Sequence, residues 1–105
     1  MKLTPLLPSL EVHHNAAASR FEATVDGLLC VADYDLADNV MRMHHTEVPA
    51  ALEGRGIAGQ LVRVALAYAE ANGLEVEPWC SFVRGYMQRH PETQKLLPRG
   101  FRIGR

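Results

Sequence analysis

The hydrophobic pattern of this chain changes period once, and the change falls on a cluster of glycines. Before Pro49 the chain reads as strands, with apolar and polar residues alternating over Arg20 to Val25; after Gly56 the apolar ones recur every three or four positions. A period of two belongs to a strand with one buried face, and a period near 3.6 to an amphipathic helix. Such a chain folds as strands first and a helix second, joined by a turn at Glu53-Gly54-Arg55-Gly56-Ile57-Ala58-Gly59.

In the first half, Glu11 to His14 makes a short strand, followed by a loop at Asn15-Ala16-Ala17-Ala18-Ser19. Arg20 to Val25 alternates cleanly, with Phe21, Ala23 and Val25 on one face. Asp26-Gly27 is a two-residue hairpin signal, and Leu28 to Tyr34 is the return strand. Asp35 to Asn39 turns the chain again, and Val40 to Val48 gives a further strand that Pro49 ends. In the second half two interleaved series, Ile57-Leu61-Ala65-Tyr68 and Ala58-Val62-Leu66-Ala69, form one wide apolar stripe on a helix. Asn72-Gly73 stops it. Leu74 to Glu77 is a strand ended by Pro78, Ser81 caps a helix running to about His90, and Pro91-Glu92 opens a last short one.

Strand, helix and strand in succession point to a right-handed crossover. The expected fold is α+β, an antiparallel meander followed by helix, short strand and C-terminal helices. At 105 residues the whole chain, 1–105, makes one domain. Two cysteines are too few for a disulfide scaffold. The run Met1 to Pro8 lacks the uninterrupted apolar region of a signal peptide, and no stretch reaches membrane-spanning length. A reducing cytoplasm is the expected location.

Net charge is -1, but unevenly spread: from Arg84 onward six basic residues face a single acid, Glu92. A cationic end on an acidic body suits a phosphate-bearing ligand or an acidic partner, or is simply a solvated terminal helix and tail.

The glycine turn carries the chemistry. Gly54, Gly56 and Gly59 allow close backbone approach at a helix start, whose unpaired amides and positive dipole end favour anions. No Gly-Lys-Ser/Thr follows, so it is not a Walker loop; nor is it a dinucleotide fingerprint, since a meander strand precedes it. A tight strand-to-helix turn needs glycines in any case.

The segment resembles the coenzyme A pyrophosphate loop of GNAT-type N-acetyltransferases, Gln/Arg-x-x-Gly-x-Gly/Ala, with Gly56 and Ala58 at the small positions and Glu53 where that pattern has Gln/Arg. The run from His45-Thr46-Glu47-Val48-Pro49 through this loop to Pro78-Trp79-Cys80-Ser81-Phe82 is similar to a minimal GNAT-like branch of about a hundred residues, in which glutamate at that position is usual. The resemblance implies acetyl-CoA as co-substrate. Backbone amides from Arg55 through Gly59 (Arg55, Gly56, Ile57, Ala58, Gly59) would hold the pyrophosphate. Thr46 and Val48 would pair their main chain with the pantetheine arm, which would lie between that strand and Leu74-Glu75-Val76 and reach toward Cys80.

Four side chains are candidates for catalysis. Cys80 precedes a helix, where the dipole lowers a thiol's pKa; it is an acyl acceptor, a polar neighbour of the thioester, or a small hydrophobe packed by Trp79 and Phe82. His45 and Glu47 lie on one strand face and form a base for the amine or a surface pair. Tyr86 falls where the resemblance implies an acid for the departing thiolate, or packs on Phe82 four residues away. Neighbours on a strand point oppositely, so neither His13-His14 nor His44-His45 chelates an ion, and no metal site is expected.

The leading expectation is an acetyl-CoA-dependent N-acetyltransferase acting on an unknown amine, as monomer or homodimer, with neither nucleic acid nor membrane as partner. The alternatives are a coenzyme A or acyl-CoA binding module, and an interaction protein whose glycine turn is only a connector.

Overall fold

Hairpin dipeptides and one amphipathic stripe account for most of the architecture. The computed structural model describes residues 10–104; the run Met1–Pro8 and the terminal Arg105, both used in the sequence reading, lie outside the described residues. The strands are β1 (His13–Asn15), β2 (Arg20–Val25), β3 (Leu28–Ala37), β4 (Val40–Glu47) and β5 (Glu75–Pro78). The helices are α1 (Ile57–Ala71) and α2 (Ser81–Arg89), with 3-10 turns at Ala16–Ala18, Ala50–Leu52 and Pro91–Leu96. The fold is α+β, one five-stranded sheet in sequence order. Pairing is antiparallel except between β4 and β5, which are parallel. Parallel neighbours need a long connection, and α1 lies in it.

Asp26 and Gly27 turn the first hairpin at φ 51° and 77°, the mirror-image geometry that matches strand twist. The second hairpin differs from expectation. β3 continues to Ala37, and the turn is only Asp38-Asn39, at φ 55° and 62°. Aspartate and asparagine enter the left-handed region at modest cost, so no glycine marks the place. β1 is shorter and later than expected because Asn15, its last residue, also accepts the Ala18 amide at 3.2 Å. At α2 the cap is Cys80, and Ser81 is already helical.

β4 carries a bulge. Tyr34 faces Met43 and Asp33 faces His45, leaving His44 unmatched. An extra residue reverses which side later residues face. Met41 and Met43 point into the core, as their complete burial shows. Beyond the bulge Thr46, opposite buried Ala32, points that way, whereas His45 and Glu47 stand on the outer face with Asp33 and Val31.

The core lies between one sheet face and the helices. Phe21, Ala23, Cys30, Ala32, Tyr34, Met41, Met43 and Val76 meet Ile57, Leu61, Val62, Ala65, Leu66 and Ala69 of α1. Ala58 and Tyr68, at the margins of the stripe, are half-buried. Val83 and Met87 of α2, Leu96 and Ile103 complete the cover. Burying one large side chain of this kind stabilises by about 1.5–3 kcal/mol. No described helix packs on the other face, where Arg20 pairs with Asp33 at 2.9 Å and Arg42 with Glu77 at 3.2 Å.

Candidate active site

The site begins where β4 and β5 part. Met43 O accepts the amides of both Trp79 and Cys80 at 2.9 Å, and there the parallel pairing ends. β4 runs on through Glu47, paired on its β3 side only. Cys80 turns into α2, and its Sγ lies 3.4 Å from Thr46 Oγ1 across the gap. The sequence placed Thr46 on the pantetheine strand and Cys80 at the thioester, but nothing in it announced their contact. That contact depends on the bulge, which turns Thr46 inward.

The Cys80 thiol is free and half-buried. Burial pushes its pKa up, but the Thr46 hydroxyl and the backbone amides of Val83, Phe82 and Thr46 together outweigh that and hold it below the ordinary thiol value. The first-turn amides of α2 favour the thiolate without closing a full capping hydrogen bond. Cys30 behaves oppositely: it is fully buried, and burial raises its pKa.

From Thr46 a groove of about 310 Å³ runs along Glu47 and Val48, past Leu52 and Phe82, to Gly54, Gly56, Ile57, Ala58 and Gly59. Gly56 is the N-cap of α1 at φ 76°, and no side chain caps this helix start. The first intrahelical bond is Gln60 N to Gly56 O at 3.2 Å. The amides up to Gly59 therefore have no partner within the helix and carry its positive dipole end. Gly54 (φ 86°) and Gly56 are required by backbone conformation. Gly59 is not: it is helical, and a Cβ there would meet no atom within 4 Å. Its missing side chain leaves open room on the groove. Arg55 is not among the groove residues; its Nη1 pairs with Asp26 Oδ2 at 3.1 Å, tying the loop to the first hairpin turn. Phe82 and Leu52 line the groove without having been singled out for it; hydrophobic spacing alone makes such residues core.

The remaining candidates are not gathered beside the thiol. His45 Nε2 and Glu47 Oε1 are 3.1 Å apart, one pair as expected, with both side chains well exposed. By register their side chains stand on the sheet face away from Thr46, although Glu47 also lines the groove. Tyr86 lies one turn beyond Phe82, stacked on His90 at 4.1 Å in a second groove with Arg63, Glu70 and Lys95. Burial raises its pKa, Glu92 adds to this, and Arg63 and Arg89 oppose it, so the phenol stays protonated. Among the described residues no three His, Cys, Asp or Glu side chains converge as a metal-holding group.

A meander, an uncapped glycine-rich helix start and a parallel pair that parts beside a thiol are thus joined in one α+β fold. Residues 20–96 match the family model described as GCN5-related N-acetyl-transferase, and the chain belongs to that family. It is similar to protein NATD1 of Gallus gallus and of Homo sapiens, 28% identical to each over 91 residues. The matched region spans 83% of this chain in both cases, and 82% and 80% of the relatives. Its fold matches a GCN5-like protein of Staphylococcus aureus solved by NMR, with a TM-score of 0.68 at 24% identity, covering 85% of this chain and 88% of the other.

Proposed function

We propose that the chain transfers the acetyl group of acetyl-CoA to the nitrogen of an amine, as a member of the minimal GNAT-like branch. The observation that carries this reading is one groove joining the uncapped start of α1 to Thr46, whose hydroxyl touches Cys80. Amides from Arg55 or Gly56 through Gly59 are donors at a positive helix end, matched to a pyrophosphate. The open room beside Gly59 lets a bulky anion come close. The unpaired edge of Thr46 to Val48 offers main-chain groups to the amides of the pantetheine arm. When bound, acetyl-CoA supplies an activated acyl carbon.

Cys80 suits the acyl acceptor role because its thiolate is favoured. Its sulfur bonds the acyl carbon, the donor carbon–sulfur bond breaks, and coenzyme A departs as a thiolate that takes a proton from water. The amine nitrogen then bonds the same carbon, Cys80 leaves as thiolate, and the nitrogen's surplus proton passes to a base. The His45–Glu47 pair is suited to be that base, from the far side of the gap. In direct attack the nitrogen displaces the donor sulfur in one step, and Cys80 is only a polar neighbour. A second reading, a coenzyme A binding module without transfer, is favoured by the position of Tyr86, the expected acid, in a different groove.

Isothermal titration with coenzyme A tests the shared part: absence of both heat and a thermal shift removes both readings. Intact-protein mass spectrometry after incubation with acetyl-CoA tests the covalent route, which expects one acetyl group on Cys80. Full transfer activity in Cys80→Ala would leave direct attack.

A further inference from the structure

The second groove and the cationic end of the chain have no part in the first groove. Among the described residues, ion pairs to carboxylates engage Arg20, Arg42, Arg55 and Lys95, and Arg84 donates to Pro78 O at 3.3 Å. Arg63 of α1 and Arg89 of α2 are in none of these pairs. Both lie near the Tyr86 phenol, on which each acts as a positive charge. Tyr86 and Arg63 stand on a groove of about 320 Å³ between α1, α2 and the Pro91–Leu96 turn, with Leu66, Ala67 and Leu96 as its apolar floor. The two nearest acids are engaged: Glu70 accepts Lys95 Nζ at 2.6 Å, and Glu92 lies 3.7 Å from His90 Nδ1. Gly85 shows how Arg89 reaches this place. It is in the middle of α2 with ordinary helical backbone, where glycine weakens a helix relative to alanine. A Cβ there would lie 3.2 Å from Arg89 Nη1. The absent side chain leaves room for the guanidinium to fold back over the preceding turn, beside Tyr86.

We propose that this groove is a phosphomonoester site, in which Arg63 and Arg89 clasp the phosphate, the Tyr86 hydroxyl donates to it, and Leu66, Ala67 and Leu96 cover the organic body. Two guanidiniums brought from two helices match a group that carries nearly two charges near neutrality, and a carboxylate carries only one. The planar fork of arginine also fits phosphate oxygens pairwise. Burial keeps the phenol protonated and so able to donate. Gly85 is a positioning residue, acting through Arg89. The site does not rest on the acetyl-transfer reading, but it adjoins the first groove: Arg63 is one helical turn beyond Gly59, and Tyr86 one turn beyond Phe82. Two sources of the phosphate therefore fit, the ribose phosphate of a coenzyme A seated in the first groove and a separate small phosphate ester.

Calorimetry with coenzyme A, dephospho-coenzyme A and phenyl phosphate separates the sources, with the Nε–H resonances of Arg63 and Arg89 followed in parallel. Phenyl phosphate is expected to shift both resonances saturably, and benzoate, with one charge, to bind about tenfold more weakly. Coenzyme A binding about tenfold more tightly than its dephospho form makes the coenzyme the source. Equal binding of the two, with the phenyl phosphate shift present, makes the ligand a separate ester. In both cases Arg63→Gln and Arg89→Gln should each cost about tenfold in affinity for the phosphate-bearing probe, the factor that a charge-assisted hydrogen bond of about 1.4 kcal/mol supplies. Gly85→Ala should raise the Tm yet weaken the phosphate several-fold, because the new Cβ displaces Arg89; a glycine of purely structural role would show no such loss. Equal affinity for coenzyme A and dephospho-coenzyme A together with unmoved Arg63 and Arg89 resonances overturns the proposal, as does phosphate binding that survives both arginine substitutions. A protein that takes phenyl phosphate but not coenzyme A keeps this site and loses the acetyl-transfer reading.

Discussion

Two polar pairs that reach from this sheet toward the helices lie in opposite settings. Toward β1, His14 Nε2 and Tyr34 Oη are 2.7 Å apart, with the imidazole stacked on Phe21 at 4.2 Å and edge-on to Tyr68 at 4.4 Å. Toward β5, Thr46 and Cys80 meet at 3.4 Å beside an open groove. Burial acts on both. At His14 it prevails and, with the charge of His13, lowers the pKa. At Cys80 burial is outweighed by donors to the sulfur. One pair is packed among aromatic rings; the other lies beside an open groove.

The comparison breaks most visibly by truncating an aromatic on each side. Phe21 is 1% exposed within the His14, Tyr34 and Tyr68 cluster. Phe21→Ala should cost about 3–5 kcal/mol in urea unfolding, with coenzyme A binding unchanged where the protein stays folded. Phe82, half-buried on the groove, should cost about 1 kcal/mol as alanine yet weaken coenzyme A binding. Equal costs would make the groove a continuation of the core, and the contrast would fail.

The glycines of the turn sharpen the contrast. Gly56→Ala forces a side chain to φ 76°, which should destabilise by about 1–2 kcal/mol. Gly59→Ala has helical backbone and open space, so it should stabilise by up to about 1 kcal/mol. Both should weaken coenzyme A binding. A Gly59→Ala protein that is more stable and binds coenzyme A as before would mean that no ligand uses the room beside Gly59.

Much of this was legible because it is local. The period change, Asp26-Gly27 and Asn72-Gly73 each act within a few residues, and each stands where its chemistry implies. What escaped is set between strands or by tolerance. Asp38-Asn39 adopts a turn that glycine would have advertised. The bulge at His44 depends on the register of β3, and without it alternation from Met41 and Met43 would carry His45 and Glu47 inward and Thr46 outward. The turn residues lining the groove were therefore readable, but the Thr46–Cys80 contact and the outward placement of His45 and Glu47 were not. Tyr86 is where spacing puts it on α2, yet one helical turn carries it into another groove.

A smaller effect follows from titrating the pair packed among the aromatic rings. The lowered pKa of His14 means that the unfolded chain, with an ordinary histidine near 6.5, takes up the proton more readily than the native state. Its contribution is full above pH 6.5 and is lost as pH falls below that value. His14→Gln, which cannot titrate but can still hydrogen-bond Tyr34, should flatten the acid side of the stability profile. A profile unchanged by the substitution would show that His14 does not couple folding to pH.

The smallest expected effect links the two sides. Asp26, in the first hairpin turn, holds Arg55 of the glycine turn at 3.1 Å, with side chains 63% and 50% exposed. A pair so exposed contributes a few tenths of a kcal/mol at most, so Asp26→Asn should barely move stability. Asparagine also tolerates the positive φ of 51° found there. What changes is the charge beside the phosphate cradle, since a released Arg55 is free to approach an anion. Coenzyme A should then bind a few-fold more tightly at low salt, about 0.6 kcal/mol, and the gain should vanish at high salt, where exposed charges are screened. If Asp26→Asn instead weakens binding at both salt concentrations, the ion pair shapes the loop, and the hairpin and the open side of the sheet act as one unit.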